Sequence, residues 1–176
     1  MCNRLEIHPL REIFLGTKEL IRLILVSGGV VLVDQVTKYL ITLNLKLHDH
    51  IVVIENFFNI NHVLNPGGAF GFFANGSPWV RKFIFLFLSS LVALFILWLY
   101  RRTAKELVFL SFGLALIFGG ALGNLIDRFR FGKVVDFLDF YVGTAHWPAF
   151  NVADSAISIG MAVLIYHVVF NKIPDF

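Results

Sequence analysis

The chain has 176 residues; 57% are hydrophobic and 15% charged, with 20 Phe and a mean hydropathy of +0.77. A soluble domain is about half apolar and a quarter charged, so this balance excludes disorder, a collagen-like fibre and a disulfide scaffold, for which a single Cys could not serve, and argues against an ordinary soluble globule. The net charge of +3 and pI near 9.2 do not point to nucleic acid, because the basic residues stand in ones and twos between long apolar runs, where membrane topology accounts for them.

Residues 1–22 carry Arg4, Arg11, Lys18 and Arg22. The apolar run that follows is too long for a signal peptide and has no small-residue cleavage site, so the segment reads as a basic cytoplasmic arm, with Cys2 an incidental thiol. Four runs approach the roughly 20 apolar residues needed to cross about 30 Å of hydrocarbon. They predict spans at about 23–43, 81–100, 106–127 and 153–171, and Pro9, Pro66, Pro78, Pro148 and Pro174 all lie outside them, as unbroken helices require. Between spans one and two, residues 44–78 hold Ile51 to Ile54, then Phe57 to Leu64 with partial alternation, then Asn65-Pro66-Gly67-Gly68. That pattern predicts short strands and a tight turn. Residues 128–152, rich in aromatics such as Phe137, Phe140, Tyr141, Trp147 and Phe150, predict an interfacial segment. The fold class is therefore mainly α and integral to a membrane: four transmembrane helices, a small extracytoplasmic β region after the first, an interfacial segment after the third, and a single domain over 1–176.

Placing both termini in the cytoplasm puts Arg4, Arg11, Lys18, Arg22, Arg101, Arg102, Lys105 and Lys172 inside. Lys46, Arg81, Lys82, Arg128, Arg130 and Lys133 then lie outside. The inside excess favours this orientation, as does the compact Arg101-Arg102 to Lys105 turn.

Ionisable groups in or beside hydrocarbon need partners or water. Those found here are Asp34, Lys38, Asp127, Arg128, Asp136, Asp139 and Asp154, accompanied by Asn65, Asn124 and Asn151. Alternating spans bring nearly all of them to one membrane face, with Asp34 roughly 18 Å into its helix. Asp34 and Lys38 are i and i+4, an ion-pair spacing whose simplest role is mutual neutralisation. Gly119, Gly120 and Gly123 form a small-residue stripe that permits close helix packing. Asp127 and Arg128 suit a helix end, Asp139 suits solvent, and Asp154 opens a span where it could act as an N-cap. Asp136, among Val134, Val135, Phe137 and Leu138 with no adjacent cation, has no such structural role.

Two carboxylates meeting in a partly dry site cannot both ionise easily, so they share a proton. One can then deprotonate a water that attacks a peptide carbonyl while the other donates to the carbonyl oxygen. No metal or organic cofactor is needed, and six scattered His without an H-E-x-x-H motif oppose zinc. Two other readings stay open on these residues: a Ser/Lys peptidase using Ser155 and Lys38, and a small proton- or ion-coupled transporter.

Five stretches carry a resemblance: Val33-Asp34-Gln35 with Thr37-Lys38; Asn65-Pro66-Gly67-Gly68-Ala69-Phe70; Gly119 to Arg128 (Gly-Gly-Ala-Leu-Gly-Asn-Leu-Ile-Asp-Arg); Val134-Val135-Asp136-Phe137; and Phe150-Asn151-Val152-Ala153-Asp154-Ser155. In this order they resemble the bacterial lipoprotein signal peptidases (signal peptidase II), membrane aspartic peptidases. The resemblance implies a catalytic dyad of Asp136 and Asp154, with Asp34, Lys38, Asn65, Gly67, Asn124, Asp127, Arg128 and Asn151 shaping the site. It also implies a prolipoprotein substrate cut just before a diacylglyceryl-modified cysteine at the outer face of the bacterial inner membrane. Contact with membrane lipid, inhibition by globomycin-like compounds and no nucleic-acid partner belong to the same expectation.

Overall fold

The structure, a computed structural model, describes residues 15–67 and 77–170. Arg4, Arg11, Cys2 and Lys172, and the Gly68-Ala69-Phe70 end of the second motif, lie outside the described residues. The elements run α1 (Thr17–Asn44), β1 (His50–Ile54), β2 (Phe58–Asn65), α2 (Pro78–Thr103), α3 (Val108–Phe131), β3 (Val134–Val142), β4 (Ala145–His146) and α4 (Val152–Val169). All four helices are long and apolar enough to cross a membrane. At 1.5 Å per residue the 28 residues of α1 extend about 42 Å, enough to carry polar positions beyond the hydrocarbon.

Helix α3 is the central post. It packs against α1, α2 and α4, and 61% of its apolar stretch is buried within the protein, against 17–22% for the other three. Outward positions such as Leu25, Phe87, Leu94 and Ile159 therefore present an apolar surface, as lipid-facing helices do. Close approach comes from the glycine stripe: a Cβ on Gly119 would stand 2.8 Å from the Ser27 backbone of α1, and one on Gly120 would run into the Ala153 carbonyl of α4. The apolar core lies at the α2–α3 hairpin end, where Tyr100, Leu110 and Leu114 are fully buried and the Tyr100 hydroxyl donates to the Glu19 carbonyl at 2.7 Å.

The opposite end carries the sheet. Its four antiparallel strands lie in the order β1-β2-β3-β4, with Asn65 opposite Val134, Asn59 opposite Asp139, and Tyr141 opposite His146. The segment expected to be interfacial thus contributes strands β3 and β4 to this sheet. Both faces of β3 are largely covered, so Val134-Val135-Asp136-Phe137-Leu138 lacks the alternation that marks a half-exposed strand, and its main partner, β2, is remote in sequence. Gly132, at φ +69°, ends α3 with its N–H on the Arg128 carbonyl at 2.9 Å and turns the chain into β3. Asn151 caps α4, its side chain accepting the Asp154 N–H at 2.9 Å, so the capping role open to Asp154 falls to the residue three earlier.

Candidate active site

The polar residues gather where the C-terminal part of α1, the end of α3, the start of α4 and strands β2 and β3 converge. Lys38 is their centre. Its ammonium is 2.8 Å from Asp34 Oδ2 and 2.9 Å from Asp127 Oδ2, and it donates to Asn124 Oδ1 at 3.1 Å. Its three N–H groups thus match three acceptors. The i, i+4 neutralisation expected of Asp34 and Lys38 is therefore one side of a larger cluster that includes Asp127. Asp34 Oδ1 accepts the Ala153 N–H of α4 at 2.9 Å, and Asp127 Oδ2 accepts the Val135 N–H of β3 at 3.1 Å. Asp34, Lys38 and Asp127 are almost completely buried, so each depends on these partners.

Asn124 and Asn151 carry the network forward to the two remaining carboxylates. Asn124 Nδ2 donates to Asp154 Oδ1 at 2.7 Å, and Asn151 Nδ2 donates to Asp136 Oδ1 at 2.7 Å and to Asn124 Oδ1 at 3.2 Å. Asp136 and Asp154 are thereby linked through two side-chain amides, one on α3 and one capping α4. Asp136 Oδ2 also accepts from Asn65 Nδ2 at 3.0 Å, and Asn65 Oδ1 accepts the Gly67 N–H at 3.0 Å, which ties the β2 turn to the carboxylate. Asn65, Asn124, Arg128, Asp136 and Asp154 all line one cavity of about 1000 Å³. Asp34, Lys38, Asp127 and Asn151 form its polar backing. The Arg128 guanidinium lies 5.4 Å from the centre of the Phe85 ring, a cation–π arrangement.

Asp136, on β3, has its carboxyl pushed up to about 7. Burial is the main cause and the negative charge of Asp154 adds to it, while the amides of Asn65 and Asn151 and the charge of Lys38 offset part of the rise. A carboxyl that keeps its proton to near neutrality, beside a second carboxylate in a cavity, is what proton sharing requires.

Asp139 departs from expectation. It is 4% exposed, not solvated. His146 Nδ1 donates to its Oδ1 at 2.9 Å, and Asn59 Nδ2 and Asn61 Nδ2 reach its Oδ2 at 3.3 and 3.0 Å. Burial alone would raise this carboxyl, but the bonds from His146, Asn61 and Asn59 hold it below the usual range. Sequence reasoning gave no site role to Gln35, whose amide reaches Asp34, the Gly123 carbonyl and Asp127 within 3.0–3.2 Å, whereas Trp147 and Phe150, expected among the interfacial aromatics, form a wall of the cavity with Pro148 and Ala149. The position of Gln35 beside Asp34 was the available signal.

Comparison with known proteins agrees with this geometry. The family described as "Signal peptidase (SPase) II" matches residues 26–170. A lipoprotein signal peptidase of Desulforapulum autotrophicum is 66% identical over 161 residues, covering 92% of this chain and 99% of the relative. One from Syntrophus aciditrophicus is 45% identical, covering 84% and 92%. A bacterial membrane enzyme solved by the in meso method superposes with a TM-score of 0.76 at 34% identity, over 85% of this chain and 88% of the other. With most of its length matched at these identities, the chain belongs to the signal peptidase II family, the lipoprotein signal peptidases, which are multi-pass bacterial membrane enzymes of the aspartic peptidase type.

Proposed function

We propose that Asp136 and Asp154 are the catalytic dyad, and that the enzyme removes the signal peptide of a prolipoprotein by cutting before its diacylglyceryl-modified cysteine. The observation that carries this reading is the convergence of two carboxylates, one on β3 and one on α4, in one cavity, bridged by Asn124 and Asn151. With one proton on the pair, the ionised carboxylate takes a proton from water as its oxygen attacks the scissile carbonyl. The protonated carboxyl donates to the carbonyl oxygen. Collapse of the tetrahedral intermediate breaks the C–N bond, and the proton taken from water passes to the leaving amine.

Lys38 is saturated by Asp34, Asp127 and Asn124, and the Ser155 hydroxyl donates to the Asn151 carbonyl at 2.9 Å. Neither arrangement suits a Ser/Lys mechanism. Asp34, Lys38, Asp127 and Asn151 hold the dyad in place, Asn65 and Gly67 shape the turn beside it, and Arg128 borders the substrate. The cavity reaches Ile157 and Ile159 of α4, and Ile159 is 58% exposed on the apolar surface, so a lipid-anchored cysteine can approach without leaving the bilayer. We place the dyad at the outer face of the inner membrane, with both termini cytoplasmic, on the excess of basic residues at the opposite end. Globomycin-like inhibitors compete for the same cavity on this reading.

The test is cleavage of a precursor with and without its diacylglyceryl group, by purified enzyme in lipid vesicles across pH. Only the lipidated precursor is expected to be cut. Because the proton of Asp136 is bound below about pH 7 and lost above it, activity should decline as pH rises through neutrality. Equal cleavage of both precursors, or a rate still climbing well above neutrality, counts against the reading.

A further inference from the structure

Residues 145–150 join the two carboxylate-bearing elements, running from β4 back along β3 to the cap of α4. Main-chain bonds fix this segment at its ends: Trp147 N–H to the Phe140 carbonyl at 2.8 Å, and a reciprocal pair between Leu138 and Phe150 at 2.8 and 3.0 Å. Pro148 has no N–H to contribute. Yet the stretch between those ends forms a wall of the cavity, and Trp147 on it is 63% exposed.

A side-chain cluster holds the segment next to Trp147. Asp139 is buried on β3 and is gripped from β2 by Asn59 and Asn61. The Oδ1 atoms of both amides are buried without a hydrogen-bond partner among the described residues, so both amides are turned to give their N–H groups to Asp139. Its other oxygen accepts from His146 Nδ1 at 2.9 Å, and the His146 ring stacks on Tyr141 with centroids 4.8 Å apart and planes 7° apart. Half of the His146 side chain is open to solvent. A carboxylate held by two amides can orient an imidazole, and here the residue following that imidazole lines the cavity.

We infer that Asp139 and His146 are a positioning pair for the substrate: they set the 145–150 segment so that Trp147 and its neighbours close on the peptide beside the dyad. The inference rests on the cavity being the substrate site, as proposed above. It assigns Asp139 and His146 to recognition, with no part in proton transfer. Removing the pair therefore weakens binding in ground and transition states alike, which raises KM and leaves kcat nearly alone.

The experiment uses full-length enzyme in lipid vesicles with a lipidated precursor peptide. His146→Ala should raise KM about tenfold with kcat within about twofold. His146→Asn, whose side-chain N–H can replace Nδ1–H toward Asp139, should bring KM back to within about threefold of wild type. Trp147→Ala should raise KM as well, and His146→Ala added to it should do no further harm, because both act through one wall. Additive losses in that double variant, an Asn variant as poor as the Ala variant, or a fall in kcat with KM unmoved would each overturn the assignment. Should His146→Ala fail to fold, His146→Gln takes its place: the same amide sits one methylene farther out, so its KM should exceed that of His146→Asn, and equal values would overturn the pairing. Asp154→Asn, run alongside, abolishes cleavage if the dyad reading holds, so failure of that reading appears there and not in the KM series.

Discussion

Asp136→Asn and Asp154→Asn should each lower turnover of a lipidated precursor by about 10²–10⁴-fold, with KM little changed and with the double variant no worse than the poorer single one. Non-additivity follows from the chemistry: base and acid act on the same water and carbonyl, so removing either group disables both. Asparagine preserves the size of each side chain, so the Asn124–Asn151 bridge and the cap on α4 remain possible and the loss reads on chemistry. A second signature is independent of rate. The negative charge of Asp154 raises Asp136, so neutralising position 154 should move the Asp136 titration below its present value near 7, visible as an earlier loss of the protonated carboxyl stretch in an infrared pH series. Burial still acts on Asp136 in that variant, so its titration stays above that of an exposed aspartate. Either single variant retaining a tenth of wild-type turnover would falsify the dyad.

Local chemistry decided which parts of this protein were legible in its sequence. Helices α1 to α4 announce themselves because apolar runs of membrane length leave few alternatives, and the polar end of the molecule follows from alternating span direction. The i, i+4 spacing of Asp34 and Lys38 shows in one dimension. The third partner does not: Asp127 reaches Lys38 at 2.9 Å from α3, and nothing near Asp127 in the chain records that contact. Strand β3 was hidden for a related reason, since its pairing with β2 is remote and burial on both faces erases alternation. Asp139 was misjudged because its partners Asn59, Asn61 and His146 come from the strands on either side, and without them an aspartate between aromatics at a membrane surface reads as solvated. Capping of α4 by Asn151 rather than Asp154 is a shift of three residues that frees the carboxylate for the cavity. The motif resemblance implied the roles proposed for Asp136 and Asp154, whereas burial and the charge of Asp154 raise Asp136 to about 7, the condition that the proposed proton sharing needs.

Lys38→Met should be the most destabilising conservative-sized change in the polar cluster, on the order of 3–5 kcal/mol, measured as a fall in Tm of the detergent-solubilised enzyme. The side chain is 4% exposed and its partners Asp34 and Asp127 are 0% and 2% exposed, so its removal strands two carboxylates away from water. Those carboxylates also hold other elements: Asp34 binds the Ala153 N–H of α4, and Asp127 binds the Val135 N–H of β3. The damage therefore extends to the junction of α1, α3, α4 and β3. Adding Asp34→Asn and Asp127→Asn to Lys38→Met removes both unpaired charges and keeps amide groups that can still meet those N–H groups, so the triple variant should recover most of the lost Tm. A triple variant no more stable than the single one would show that the stranded charges are not the cause. Lys38→Arg is no substitute, because a planar guanidinium cannot direct donors to three acceptors spaced for an ammonium. Catalysis responds separately: the charge of Lys38 lowers Asp136, so whatever Lys38→Met enzyme stays folded should hold the Asp136 proton to higher pH, moving the alkaline decline of activity upward.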